Sequence, residues 1–158
     1  MGDEELRELL LTAVQTIAVV GIKAGEQDDA FRVPRYLQLH GYRIIPVSPK
    51  LSTVLGERVF MSLSDLDEPV DLVNLFRAAS HISDHTDEIL AMTNRPKAVW
   101  MQLGIRHAPA AARLREAGIV VIEDRCLMVE HRRLSAPEVE VEIEVEVEAE
   151  AVTQLGDR

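Results

Sequence analysis

The chain has 158 residues, enough for one domain that buries its own core, and its single cysteine, Cys126, excludes an internal disulfide. Hydrophobic residues make up 47% and aromatics only 4%, which suits an α/β domain built on Val, Ile, Leu and Ala. The net charge of −10 is uneven: eight acids face one base from Glu138 onward, while the rest carries 19 acids and 16 bases, so neither part offers the basic stripe of a nucleic-acid binder.

Asp3 to Val14 reads as an opening helix, with Leu6, Leu9, Leu10 and Ala13 on one face and acids in its first turn. Thr16 to Val20 is an apolar run without alternation, as in strands covered on both faces. A polar loop, Gly21 to Ala30, follows. The next helix is expected from about Val33, because Pro34 is tolerated in a first turn, where its missing amide has no partner to lose. Gly41 stops it, and Tyr42 to Val47 forms the second strand, ending in Ser48-Pro49-Lys50.

Leu51 to Pro69 reads as irregular apart from a helical turn near Leu63 to Leu66. Val70 to Phe76 is the third strand, and Ser80 caps a helix running to about Met92. Ala98 to Met101 is the fourth strand, with Gln102 to Ile105 as its exit. An alanine-rich helix, Ala108 to Ala117, stops at Gly118 before the fifth strand, Ile119 to Ile122. Cys126 to Arg133 reads as a short last helix.

Strands alternating with helices predict a Rossmann-like, doubly wound parallel sheet of five strands with helices on both faces. Such sheets bind ligands beyond the carboxyl ends of their strands, at the topological switch point. The exits to watch are therefore Gly21 to Ala24, Ser48 to Lys50, Arg77, Gln102 to His107, and Asp124 to Cys126. Several carry a base, which suits a polyanionic ligand.

The turn Gly21-Ile22-Lys23-Ala24-Gly25 is neither G-x-G-x-x-G nor a P-loop. Two readings stay open for it: a pyrophosphate cradle, or a glycine that lets the chain leave the strand. Lys50 is more telling. NAD sites usually place an acid near there for the ribose hydroxyls, whereas a lysine attracts a phosphorylated ribose.

His81 and His85 have the i, i+4 spacing of metal ligands but lack a nearby third, so they are read as a helix face. Cys126 is read as a packed thiol rather than a nucleophile. No Ser-His-Asp or Cys-His arrangement forms from local spacing.

Glu138 to Glu148 alternates acid and aliphatic residues strictly. As a strand it would stack glutamates about 7 Å apart on one face, so it is read as a disordered extension before a strand on a sheet edge. The chain divides into a nucleotide-binding domain, 1–134, and an acidic tail, 135–158. No apolar stretch reaches the about 20 residues of a bilayer span, and Met-Gly-Asp-Glu-Glu-Leu-Arg lacks the marks of a signal peptide, so no membrane contact and a cytoplasmic location are expected.

Taken together, Ile17 to Gly21, Pro34 to Leu37, Gly41 to Pro49, Trp100 to Ile105 and Asp124 to Met128 resemble the small stand-alone CoA-binding proteins. These are similar to the N-terminal domain of the succinyl-CoA synthetase alpha subunit. The resemblance covers about Glu4 to Leu134. It implies contacts to coenzyme A from Gly21, Ile22, Lys23 and Ala24, from Lys50, and from Gln102, Leu103 and Gly104. Ser48, Pro49 and Arg77 join them by position. A 3′-phosphate on the CoA ribose accounts for Lys50. The synthetase's Thr-Gly-Ser run in the first loop is missing, as is its domain with the phosphorylated histidine, so ligase activity does not carry over.

The resulting expectation is non-catalytic binding of CoA or acyl-CoA, with a protein partner left open. The alternatives are an NADP-dependent oxidoreductase and a subunit lending its CoA site to a separate ligase chain.

Overall fold

The computed structural model describes residues 1–136, so the expected tail, 135–158, lies outside the described residues from 137 on, and Ser135 belongs to the last helix. Five parallel strands form the main sheet: β1 (Thr16–Val20), β2 (Arg43–Val47), β5 (Leu72–Leu75), β6 (Ala98–Met101) and β7 (Val120–Ile122). Their order is β2-β1-β5-β6-β7, with Val19 opposite both Pro46 and Asn74, and Asn74 opposite Trp100.

Both faces are covered, which is why the strands read as unbroken apolar runs. Ile17, Val19, Leu72 and Trp100 pack toward α1 (Asp3–Glu8), α2 (Asp29–Leu39) and α5 (Leu127–Ser135). Ala18, Val20, Val73, Leu75, Val99 and Met101 pack toward α3 (Ala79–Leu90) and α4 (Ala108–Glu116). The chain winds from β1 to β2 on one side, then crosses back over β1 to lay down β5. The switch point therefore lies between the ends of β1 and β5.

Four local expectations need correction. Ser80 does not cap α3: it lies inside the helix, whose N-cap is Ala78, with no side-chain cap bond. The opening helix is not uniform. After α1, Leu9–Ala13 widens into a π-turn in which the Val14 amide reaches the Leu9 carbonyl at 2.9 Å. Within Leu51 to Pro69, a small antiparallel pair forms from β3 (Thr53–Val54) and β4 (Glu57–Arg58), followed by a 3₁₀ turn at Leu63–Asp65. Helix α2 begins four residues earlier than expected, at Asp29, so Pro34 lies inside it. Proline has no amide to give the carbonyl four residues back. That carbonyl, on Ala30, instead accepts from the Lys23 amide of the first loop at 3.2 Å.

Helix α5 is held against α2 by Tyr36, whose hydroxyl lies 2.8 Å from Nδ1 of His131. Burial, with His40 adding to it, pushes the His131 pKa down, so its imidazole is neutral and can accept. This seam fixes where the first turn of α5, and with it Cys126, meets the carboxyl edge of the sheet.

Candidate functional site

Gly21 turns the chain off β1 with φ of +83°, and an added Cβ would stand 2.3 Å from the Phe76 carbonyl oxygen and 3.0 Å from Cδ of Arg77. The glycine is required twice over, for its backbone and for the side chain that lies across it. Beside this crossing a cleft of about 380 Å³ opens, and its lining includes Lys23, Arg77, Gln102, Leu103 and Cys126. It occupies the switch point.

A larger cleft, about 460 Å³, lies toward the opposite edge between the loop into β5 and the end of α3. Its charged lining residues are Asp67, Glu68 and Glu88, with no base among them. A polyanion would be repelled there, whereas the smaller cleft sets Lys23 and Arg77 against Asp28 and Asp29, the last of them paired with Arg32 at 3.4 Å, so it is the less acidic of the two.

Arg77 is the most telling residue of the site. It is half-buried, it makes no ion pair among the described residues, and its Nε is shut off from solvent without a partner. An uncompensated guanidinium is costly, and an incoming anion would relieve the cost. Lys23 and Lys50 are exposed and also lack an ion pair among the described residues.

Not all the expected residues meet in the cleft. Ser48, Pro49 and Lys50 lie outside its lining, beyond the end of β2 on the far side of β1. Their turn is closed by the Lys50 amide donating to Ser48 Oγ at 3.1 Å, so Ser48 braces the loop. Ile22 is buried, 2% exposed, among core residues, and offers a ligand only its backbone.

Several backbone amides expected to face phosphate are already taken. Gly21 N–H donates to the Val47 carbonyl at 3.0 Å, Lys23 N–H to Ala30 and Gln102 N–H to Leu75. Gly104 N–H donates to Asp124 Oδ1 at 2.6 Å. The amides of Ile22, Ala24 and Leu103 make no such bond among the described residues.

Asp124 braces the β6 exit. It holds a left-handed φ of 57°, and its second oxygen accepts from Arg106 Nε at 3.0 Å. The Gly104 amide first, and the Arg106 guanidinium next, hold its carboxyl below the usual carboxylate range. Nearby, Trp100 Nε1 donates to the Arg125 carbonyl at 2.8 Å, so the exits of β6 and β7 are tied together.

Sequence reasoning missed Asn74, fully buried in β5, whose Nδ2 donates to Gln102 Oε1 at 3.2 Å. The available signal was one amide inside the otherwise apolar run Leu72 to Leu75. On α3, His85 Nδ1 pairs with Glu88 at 2.9 Å. Among the described residues, no group of three His, Cys, Asp or Glu is placed to hold an ion. No described helix is long and apolar enough to cross a membrane.

A family model described as a CoA binding domain matches residues 15–132. The uncharacterized protein YneT of Bacillus subtilis is 35% identical over 127 residues, which span 80% of this chain and 92% of that protein. The solved structure of cell-free ID.343 from Thermus thermophilus is 48% identical and superposes with a TM-score of 0.80, covering 85% of this chain and 99% of the other. A dinucleotide-forming acetyl-coenzyme A synthetase 1 from Ca. Korarchaeum cryptofilum shares the fold. It gives a TM-score of 0.60 at 17% identity, over 68% of this chain and 25% of that enzyme.

Proposed function

The chain belongs to the CoA-binding domain family, a family of binding modules rather than catalytic domains, and we propose that the switch-point cleft is where it takes coenzyme A or an acyl-CoA. The observation that carries the assignment is Arg77, a half-buried guanidinium that makes no ion pair among the described residues and lines the cleft with Lys23. These two cations suit the pyrophosphate. Lys50, exposed beyond β2, suits the 3′-phosphate, with the Ser48-Pro49 turn restraining it. The unbonded amides of Ile22 and Ala24 supply neutral donors to the same oxygens. Gln102 and Leu103 line the way toward Cys126. We assign the protein to the cytoplasm, where its single thiol remains reduced.

Calorimetry with CoA, dephospho-CoA, NAD and NADP tests the reading. CoA should bind tightest. Arg77→Ala should weaken CoA by about 10- to 100-fold, the range of a lost charge-assisted bond, and Arg77→Lys should restore only part of it. Tighter binding of NAD or NADP would overturn the assignment.

A further inference from the structure

The floor of the cleft contains a polar chain whose direction is forced. A backbone amide can only donate, and the Leu127 N–H at the start of α5 lies 2.9 Å from one amide atom of Gln102, which must therefore be its oxygen. Asn74 approaches that same oxygen at 3.2 Å and must donate to it through Nδ2. Both donors converge on Gln102 Oε1, so the Gln102 amide cannot be turned over without breaking two buried bonds. Its Nε2, with two N–H groups, is the hydrogen-bonding capacity left to a residue that lines the cleft. The arrangement has a cost: Asn74 Oδ1 is buried without a partner, in a side chain with 0% exposure. A leucine or valine would be the ordinary occupant of such a strand position.

We propose that Asn74 is a positioning residue that, together with the Leu127 amide, locks Gln102 as a hydrogen-bond donor to the ligand. The group seated at Gln102 must then bring an acceptor oxygen, either a phosphate oxygen or an amide carbonyl of the pantetheine arm. This inference rests on the cleft being the CoA site.

A double-mutant cycle on the full chain tests it, with calorimetry for CoA and a thermal melt for each variant. Gln102→Glu keeps an acceptor for both inward bonds but replaces the donor with an anion. It should lower the melting temperature modestly, since Gln102 is 4% exposed and a carboxylate there loses hydration, and weaken CoA at least tenfold. Asn74→Leu removes one of the two locking bonds together with the unpartnered oxygen. It should melt no lower than wild type and weaken CoA about threefold to tenfold. In a Gln102→Leu background the same change at Asn74 should have no further effect on CoA. Asn74→Ser, too short to reach Gln102, serves in its place if the leucine variant does not fold.

3′-Phosphoadenosine 5′-diphosphate, which keeps both phosphates of the pyrophosphate and lacks only the pantetheine arm, locates the oxygen. A Gln102→Glu loss seen with CoA alone assigns the carbonyl, and a loss seen with both ligands assigns a phosphate. If wild type binds CoA but Gln102→Glu binds it equally well, or the Asn74 change weakens it equally in both backgrounds, this inference is overturned alone. A wild-type chain that binds no CoA overturns the cleft reading and the inference together.

Discussion

The two edges of the sheet treat charge in opposite ways. At the amino edge, Asp71 Oδ2 accepts from the amides of Gln15 and Thr16 at 2.9 and 3.0 Å. Lys97 Nζ donates to the Ala13 carbonyl at 2.8 Å and pairs with the same Asp71. Arg43 pairs with Glu68. At the carboxyl edge, Lys23, Lys50 and Arg77 have no ion-pair partner among the described residues, and the Arg77 Nε is buried bare. The first edge closes the fold with its own counter-charges. The second does so beside β6 and β7, where Asp124 pairs with Arg106, but leaves Lys23, Lys50 and Arg77 around the switch point without one, as a surface does when the missing charge arrives with a ligand.

The sharpest break of this contrast uses two glycines. Gly21→Ala should lower stability by well more than the about 1–2 kcal/mol of a left-handed residue, because its Cβ meets the Phe76 carbonyl, and CoA binding should fall with it. Gly41, at the amino edge with φ of +94°, has nothing within 4 Å of an added Cβ. Gly41→Ala should cost only the conformational term and leave CoA affinity unchanged. Similar melts for the two would show that the edges do not differ in packing.

Next in size is Lys50→Ala. It should weaken CoA by about one to two decades and dephospho-CoA little, with the gap narrowing as salt rises. Equal affinity for the two ligands in wild type would remove the 3′-phosphate argument.

Asp71 and Asp124 then separate stability from binding. Burial alone would raise the Asp71 pKa, but the Gln15 and Thr16 amides and Lys97 outweigh it and hold the group below 3.8. Its contribution is therefore complete above the unfolded value and lost as pH falls through the folded one. Asp71→Ala should cost about 1–3 kcal/mol at neutral pH and flatten the acid limb of the stability curve below about pH 4, without changing CoA affinity. Asp124→Ala should instead weaken CoA, by loosening the β6 exit. A loss of binding with Asp71→Ala would mean that the two edges are coupled.

The smallest effect belongs to Cys126. Although it lines the cleft, Cys126→Ala should leave CoA affinity unchanged, since recognition of this kind needs no protein thiol. Loss of binding in a folded variant would overturn that.

What the sequence disclosed and withheld follows from range. Thr16 to Val20 was legible to the residue, because a strand covered on both faces is apolar throughout. Arg77 was legible as the residue that follows the third strand, read as ending at Phe76 and observed to end at Leu75, at the switch point. The start of α2 was not, because Pro34 looks like a first-turn residue until a carbonyl four positions back has another donor. The β3–β4 pair was hidden by its length, two residues a side. Gln102 was found for its place in a loop, but its orientation depends on Asn74 and Leu127, 28 and 25 positions away. No local pattern encodes that.

Pro34 has a consequence for the entropy of binding. By leaving the Ala30 carbonyl free, it lets the helix grip the first loop at Lys23, dividing the long stretch between β1 and α2 without help from a ligand. Each residue already confined spares about 1–2 kcal/mol of conformational freedom that a ligand would otherwise have to remove. Restored to alanine, position 34 could reclaim the carbonyl with its own amide, and the loop would have to be ordered at the moment of encounter. The residue most at odds with helix propensity thus preorganises the cleft's lysine.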